Sequence, residues 1–232
     1  SGVTVTFPIS LIIMAFAMLV GIGSAALISI KLGQQKKEEA EYILGNVFTL
    51  IIITSLIVTV LGLIFLEPML TKFGATKEAL PYAKDYIRII LIGVVFQNIG
   101  FGLNNTIRSE GNPRVAMFTM LIGGILNIIL EPIFIFGFKM GTRGSAIATV
   151  IAQSVNTMWV LYYFYGGNSV LKIRYKNLKL DTKVVKSIFA IGMSPFSMQL
   201  AASIVTIISN RSLVKYGGDS ALGAMGVIMS VV

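Results

Sequence analysis

One carboxylate lies inside a membrane-length apolar segment of this 232-residue chain. It belongs to Glu131, in the stretch GGILNIILEPIFIF at residues 123–136. An ionisable group at such depth is costly, and a carboxylate in a low dielectric tends to bind a proton or a cation. Asn127 lies four residues earlier and therefore on the same helical face. The pair indicates a candidate proton or cation site within the membrane.

Glu131 also has a purely structural interpretation. A protonated carboxyl that is hydrogen-bonded to Asn127 would brace the helix, which Pro132 is expected to kink by removing one backbone hydrogen bond. In the functional hypothesis, binding of a proton or cation would change the bend of the helix. This change would determine the side of the membrane to which a cavity opens.

Further polar side chains lie within the apolar segments, where lipid satisfies no hydrogen bond. Thr149, Gln153 and Asn156 are spaced i, i+4 and i+7, which predicts one polar stripe along a helix. The other candidates for a cavity are Gln97, Asn98 and, on a later run, Gln199, together with Asn104 and Asn105. Helical spacing prevents the four amides between residues 97 and 105 from facing a single cavity. Two interpretations of these side chains stay open: they form hydrogen bonds between helices, or they contact the substrate.

The composition indicates a polytopic membrane protein. Hydrophobic residues make up 55% of the chain and charged residues 12%, whereas a soluble domain carries about 25% charge. Six apolar runs are long enough to cross a bilayer: residues 11–30, 43–66, 87–107, 115–138, 146–165 and 184–208. A loop and the start of a seventh run follow Lys215. The predicted fold class is therefore all-α, a bundle of membrane helices.

The charged and reactive residues exclude several function classes. The net charge of +9 arises in the loops between the runs, where basic residues set topology, so we predict no nucleic-acid partner. Most Lys and Arg fall on the side that contains the segment after the fifth run, which predicts that this side is cytoplasmic. The chain has no Cys and no His, which removes Cys/His zinc sites, thiol nucleophiles and His-based catalysis. The three aspartates lie in loops or at the edges of runs, which argues against an intramembrane aspartyl protease.

Four stretches resemble the multidrug and toxic compound extrusion (MATE) family of secondary antiporters. They are GIGSAALISIKLG at 21–33, IRSEGNPRVAMF at 107–118, GGILNIILEPIFIFGFKMGTRGSAIATVIAQ at 123–153 and SNRSLVKYGGDSALGAMGV at 209–227. The resemblance implies about half of a twelve-helix transporter built of two pseudo-symmetric bundles, with this chain supplying helices two to seven. It divides the chain into helices two to six of the amino-terminal bundle (1–165), a basic cytoplasmic linker (166–183), and the first helix and start of the second helix of the carboxy-terminal bundle (184–232).

The resemblance also implies site residues. In some family members a proton or sodium ion binds between an aspartate on the first helix, an asparagine and an acid on the fifth, and a threonine on the sixth. Asn127, Glu131 and Thr149 match the last three positions. The family usually has aspartate where this chain has Glu131, which leaves proton and sodium both open. The first-helix aspartate would precede Ser1, so the chain is expected to need the remainder of its own protein.

The expected function is an H+- or Na+-coupled antiporter that exports organic cations or other amphipathic compounds by alternating access. It would be a multi-pass protein of the inner (plasma) membrane, not an enzyme, with membrane lipids as neighbours and no cofactor. The alternatives are a lipid-linked saccharide flippase of related architecture and a non-transport membrane protein. A flippase should present several cationic residues to its cavity, whereas here nearly all Lys and Arg fall in loops.

Overall fold

Seven α-helices make up the computed structural model, which describes residues 2–167 and 169–231 and the side chains of residues 4–167, 169–218, 221 and 223–225. The helices are α1 (Gly2–Gly33), α2 (Lys37–Ile64), α3 (Leu66–Lys72), α4 (Leu80–Ser109), α5 (Pro113–Pro132), α6 (Thr142–Tyr165) and α7 (Thr182–Val231). No strand occurs in the described part of the chain, so the all-α prediction is confirmed. Ser1, Asn168 and Val232, which fall within the three predicted segments, lie outside the described residues.

Five helices are long and apolar enough to cross a membrane: Thr4–Gly33, Lys37–Ile64, Leu80–Ser109, Pro113–Gly137 and Thr182–Gly218. The fifth apolar run forms α6, a helix of 24 residues that does not meet the same criterion of length and composition. Its stripe of Thr149, Gln153 and Asn156 lowers its mean hydropathy. Five of the six predicted membrane spans therefore meet the criterion, and the run that forms α6 does not.

Two breaks in the helical pattern involve a glycine or a proline. Gly111 has a φ of 86° between α4 and α5, a conformation that glycine adopts without a steric penalty. At Pro132 the α-helical geometry gives way to a π-helical turn, Ile133–Gly137, so the proline does interrupt the helix beside Glu131. The loop predicted after Lys215 is smaller than expected, because α7 is interrupted only by a kink at Gly218.

The segment MGTRG predicts a tight turn with Gly141 and Gly144 in it, and for Gly144 this prediction is wrong. Gly141 occupies a turn with a φ of 56°, but Gly144 lies inside α6. A Cβ at Gly144 would stand 2.7 Å from the carbonyl oxygen of Phe134. Gly144 is therefore needed for the close approach of two backbones, and not for a positive φ.

Helix α1 lies at the centre of the bundle and packs against α2, α4 and α7. Small residues make these approaches possible. A Cβ on Gly21 would lie 3.2 Å from the Cα of Gly102 on α4, and one on Gly23 would lie 3.1 Å from the amide nitrogen of Gly192 on α7. The position of α7 is also fixed by Ser203, whose Oγ donates to the carbonyl oxygen of Pro8 at 3.0 Å.

The basic segment between α6 and α7 is attached to α2. The buried carboxylate of Glu41 accepts from the guanidinium of Arg174 at 2.5 Å and from the backbone N–H of Lys172 at 3.3 Å. Asn46 Oδ1 accepts from the backbone N–H of Asp181 at 2.6 Å, and Thr49 Oγ1 donates to the carbonyl oxygen of Leu178 at 2.7 Å. Part of the linker is thus ordered by buried groups of α2, while the side chains of its lysines remain exposed.

A second carboxylate holds the start of this segment. Glu110, in the turn after α4, accepts hydrogen bonds from Ser169 Oγ at 2.6 Å, from the N–H of Val170 at 3.2 Å and from the hydroxyl of Tyr163 at 3.3 Å. Burial raises the pKa of Glu110, and the hydrogen bonds from Ser169, Val170 and Tyr163 lower it, by less than burial raises it.

The close approach of α1 and α7 predicts the effect of adding one methyl group. In Gly192→Ala the new Cβ would overlap the carbonyl oxygen of Leu19, so we expect a loss of about 1–3 kcal/mol in stability from overpacking. The apparent Tm of the purified protein in detergent measures it. A Cβ on Gly124 would meet no atom within 4 Å, so Gly124→Ala should leave the Tm unchanged or raise it, because alanine favours the helix. Equal Tm values for the two variants would contradict this packing.

The raised pKa of Glu110 predicts a pH dependence of stability. The protonated carboxyl of Glu110 contributes fully to the free energy of unfolding below the unfolded carboxyl pKa of about 4.3. This contribution is lost as the pH rises through the higher pKa of the folded state. We therefore expect the Tm of Glu110→Gln, which stays neutral, to rise relative to wild type between pH 5 and pH 7.5. Glu78→Gln, at an exposed site before α4, provides the control. A Tm difference for Glu110→Gln that stays constant with pH would be incompatible with a buried, titrating carboxyl.

Candidate transport cavity and ion-coupling site

A cavity of about 340 Å³ opens between α1, α4, α5 and α6. Its polar lining consists of Gln97, Asn104, Asn105, Arg108, Asn127, Thr149, Gln153 and Asn156. Met14, Phe101 and Met120 add apolar and aromatic surface. Among the described residues that line it, Arg108 alone carries a charge, and its side chain is exposed with Nη2 3.0 Å from Met120 Sδ.

Glycines on the facing helices leave room for this cavity. Gly123 and Gly124 on α5 and Gly100 on α4 all line it. A Cβ on Gly100 would stand 2.9 Å from Thr157 Oγ1, and one on Gly123 would stand 3.5 Å from Asn156 Cβ, both on α6. All three members of the predicted α6 stripe line this same space.

The proposed coupling residues are connected by hydrogen bonds between α5 and α6. Asn127 Nδ2 donates to Thr149 Oγ1 at 3.3 Å, and Thr149 Oγ1 donates to the carbonyl oxygen of Ser145 at 3.0 Å. One turn further along, Ser145 Oγ donates to Glu131 Oε1 at 2.5 Å. Asn127 and Thr149 line the cavity, whereas Glu131 is half-buried beyond its lining. The carboxylate of Glu131 is thus connected to the wall of the cavity by the hydrogen bonds of Ser145, Thr149 and Asn127.

Ser145 was missed by the sequence reasoning. It lies four residues before Thr149, so the polar stripe of α6 continues one turn further than the pattern Thr149, Gln153 and Asn156 indicates. Extending the stripe to the start of the helix would have identified it. With Ser145 included, the site offers hydroxyl, amide and carboxylate oxygens, the ligand types that hard cations prefer.

The amides of α4 divide as helical spacing requires. Gln97, Asn104 and Asn105 line the cavity, but Asn98 points to α2, where its Nδ2 donates to Ser55 Oγ at 2.9 Å. Asn104 also holds α5, because its Nδ2 donates to Thr119 Oγ1 and, at 2.8 Å, to the carbonyl oxygen of Ala116. The structure does not bring Asn98 or the half-buried Gln199 of α7 into this cavity.

Two buried side-chain oxygens of the described residues have no hydrogen-bond partner: Asn98 Oδ1 and Asn156 Oδ1. Asn156 is 9% exposed and lines the cavity. A buried acceptor without a partner is costly. Asn156 Oδ1 is therefore available to a ligand that donates a hydrogen bond from within the cavity.

A bundle of apolar helices around a polar cavity defines a multi-pass membrane protein. A sequence profile of the MatE family matches residues 1–133, and the chain belongs to this family. Together with the apolar spans, this places it in the plasma membrane as a multi-pass protein. Nothing in the described residues brings three His, Cys, Asp or Glu side chains together as a metal site.

Known relatives share the whole length of this chain. The multidrug export protein MepA of Staphylococcus haemolyticus is 29% identical over 232 residues, which is 100% of this chain and 51% of MepA. The structure of the MATE multidrug transporter DinF-BH is 42% identical, with a TM-score of 0.91 over 98% of this chain and 51% of DinF-BH. An inward-facing multidrug resistance MATE transporter of the MOP superfamily is 28% identical, with a TM-score of 0.87 over 95% of this chain and 50% of its own. The chain therefore spans about half the length of these relatives.

Proposed function

We propose that this protein forms part of an H+- or Na+-coupled antiporter that exports organic cations or other amphipathic compounds by alternating access. The observation that carries the proposal is the hydrogen-bonded series Asn127, Thr149, Ser145 and Glu131, which joins an intramembrane carboxylate to the wall of a polar cavity. MepA is a multidrug export protein and DinF-BH is a multidrug transporter, which supports the same class of activity here.

Coupling rests on competition for the oxygens of this series. Protonation of Glu131, or a sodium ion bound between Glu131, Asn127 and Thr149, changes which of these oxygens can accept the hydrogen bond from Ser145. The carboxylate lies next to Pro132 and the π-helical turn, where α5 already lacks regular hydrogen bonding. A change in the state of Glu131 can therefore bias the bend of α5 and the opening of the cavity.

Substrate recognition would use hydrogen bonds and apolar surface. The amides of Gln97, Gln153 and Asn156 supply acceptors to N–H and O–H donors, while Phe101 and the methionines offer an adaptable apolar wall. A flat organic cation can also stack on the face of Phe101. This combination suits varied amphipathic compounds better than one rigid ligand.

The flippase alternative is less well supported. Binding a lipid-linked saccharide through its phosphates would require several cations around the cavity, and the described lining supplies one, Arg108. We also propose that transport belongs to the complete protein, because the relatives with assigned export activity are about twice as long as this chain. Transport is therefore to be measured on the full-length transporter.

Replacing the intramembrane carboxylate tests ion coupling. In Glu131→Gln the side chain neither titrates nor binds sodium as a carboxylate, so we expect transport driven by a proton or sodium gradient to fall roughly tenfold or more, the size of a typical coupling between two sites. Uptake of a fluorescent cationic dye into everted vesicles, with each gradient imposed separately, gives the measurement. Glu78→Gln, in an exposed turn, should transport normally. Full gradient-driven transport by Glu131→Gln would exclude this role.

The two asparagines with unpartnered oxygens form a matched pair for testing the cavity. We expect Asn156→Ala to weaken binding of a flat fluorescent cation that carries amino groups by roughly three- to tenfold, the effect of one neutral hydrogen bond. Asn98→Ala removes the same groups outside the cavity and should lower the Tm without changing affinity. Fluorescence polarisation with the purified transporter measures both affinities. Equal effects of the two substitutions on binding would contradict the assigned cavity.

A further inference from the structure

A second cavity, almost wholly apolar, opens on the other side of α1. It has a volume of about 350 Å³ and is enclosed by α1, the end of α2, α3 and α4. Its walls include Ile9 and Phe16 of α1, Leu61 of α2, Phe65 between α2 and α3, and Leu91 of α4. Lys72, at the end of α3, is the one lining residue with a polar side chain among the described residues. We call this cavity the α3 groove.

The α3 groove is bordered by exposed apolar side chains at the end of a membrane-crossing helix. Its rim is formed by Ile57 and Leu61 of the membrane-crossing helix α2 and by Phe65 directly after that helix; they are 51%, 50% and 52% exposed. From Ile57 to Phe65 the helix rises about 12 Å, which is most of one leaflet of a hydrocarbon core about 30 Å thick. Water does not fill a cavity that lacks polar partners. A groove of this depth and polarity matches a lipid acyl chain.

Lys72 supplies charge at the mouth of the groove. Helix α3 is anchored by the buried Leu66 and Leu70 and presents Lys72 as an exposed residue in its last turn. The nearby cation Lys84 is paired with Glu67 at 2.7 Å, whereas none of the ion pairs among the described residues includes Lys72. A lysine at the interface keeps its ammonium at the level of the headgroups.

We infer that the α3 groove binds an anionic phospholipid, with one acyl chain between α1 and α2 and the headgroup phosphate at Lys72. Helix α2 begins beside the basic linker and ends at the groove. The lipid therefore belongs to the leaflet opposite the linker. Lipid binding is separate from the polar cavity, so its test needs no transport and is independent of the proposed antiport.

Site-specific photocrosslinking in the full-length protein tests the site. p-Benzoylphenylalanine at position 65 faces the groove, while the same probe at position 64 lies at equal depth on the exposed, non-lining face of α2, where Ile64 is 64% exposed. The protein is reconstituted in equal amounts of phosphatidylglycerol and phosphatidylcholine, and lipid adducts are quantified by mass spectrometry. We expect the ratio of phosphatidylglycerol to phosphatidylcholine adducts at position 65 to exceed that at position 64 by about fivefold, as one basic residue near an anionic lipid provides.

Two lysine variants separate the headgroup contact from general surface charge. Lys72→Gln should bring the adduct ratio at position 65 down to that at position 64, whereas Lys77→Gln, in the exposed turn before α4, should leave it unchanged. Equal ratios at positions 64 and 65 in the wild-type background, or no lipid adduct at position 65, would overturn the inference.

Native mass spectrometry of the protein without probe residues gives an independent decision if the probe variants fail to insert. Retention of phosphatidylglycerol over phosphatidylcholine that is lost in Lys72→Gln supports the site. Retention of both lipids alike, or retention that Lys72→Gln does not change, excludes it.

Discussion

The hydrocarbon core of a bilayer offers no hydrogen-bond partner, so each polar side chain within it must be satisfied by the protein or face a cavity. Several polar groups of this bundle meet that requirement across helix contacts. Asn98 binds Ser55, and Thr59 Oγ1 donates to the carbonyl oxygen of Leu91 at 2.8 Å. These contacts hold α2 and α4 together. Of the two buried side-chain oxygens without a partner among the described residues, Asn156 Oδ1 faces the polar cavity and Asn98 Oδ1 does not.

The same bundle depends on how closely backbones can approach. Lipid tails are as apolar as the side chains they touch, so packing and not the hydrophobic effect favours helix association within a membrane. Gly21 and Gly23 allow α1 to lie against both α4 and α7. Because α1 is held in this central position, Met14 and Ala17 form one wall of the polar cavity, and Ile9 and Phe16 form one wall of the α3 groove.

Local periodicity was sufficient for much of the fold and for part of the site. Spacing of i, i+4 placed Asn127 and Glu131 on one face of α5, because helical geometry relates such positions directly. Similar spacing placed Thr149, Gln153 and Asn156 on one face of α6. It could not show that Ser145, and not Asn127, makes the close contact to the carboxylate, since that depends on the axial offset between α5 and α6. Asn98 illustrates the reverse case: one residue after Gln97, it is rotated by about 100° and faces another helix.

The linker shows a different limit of sequence reasoning. Its lysines and arginines predicted its orientation, but its order comes from Glu41, Asn46 and Thr49, which lie about 130 residues away in the chain. No local pattern encodes such contacts. Glu41 in particular resembles the other surface acids of the segment QQKKEEAE, yet it is 2% exposed while Glu38 and Glu39 are exposed.

Attachment of the linker to α2 has a mechanical consequence. A connection between α6 and α7 that is held at Glu41, Asn46, Thr49 and Glu110 has little slack with which to absorb a displacement of α7. Any tilt of α7 relative to α1 must then pivot about this tethered end, and its amplitude grows with distance along the helix. The displacement would therefore increase along α7 towards the kink at Gly218.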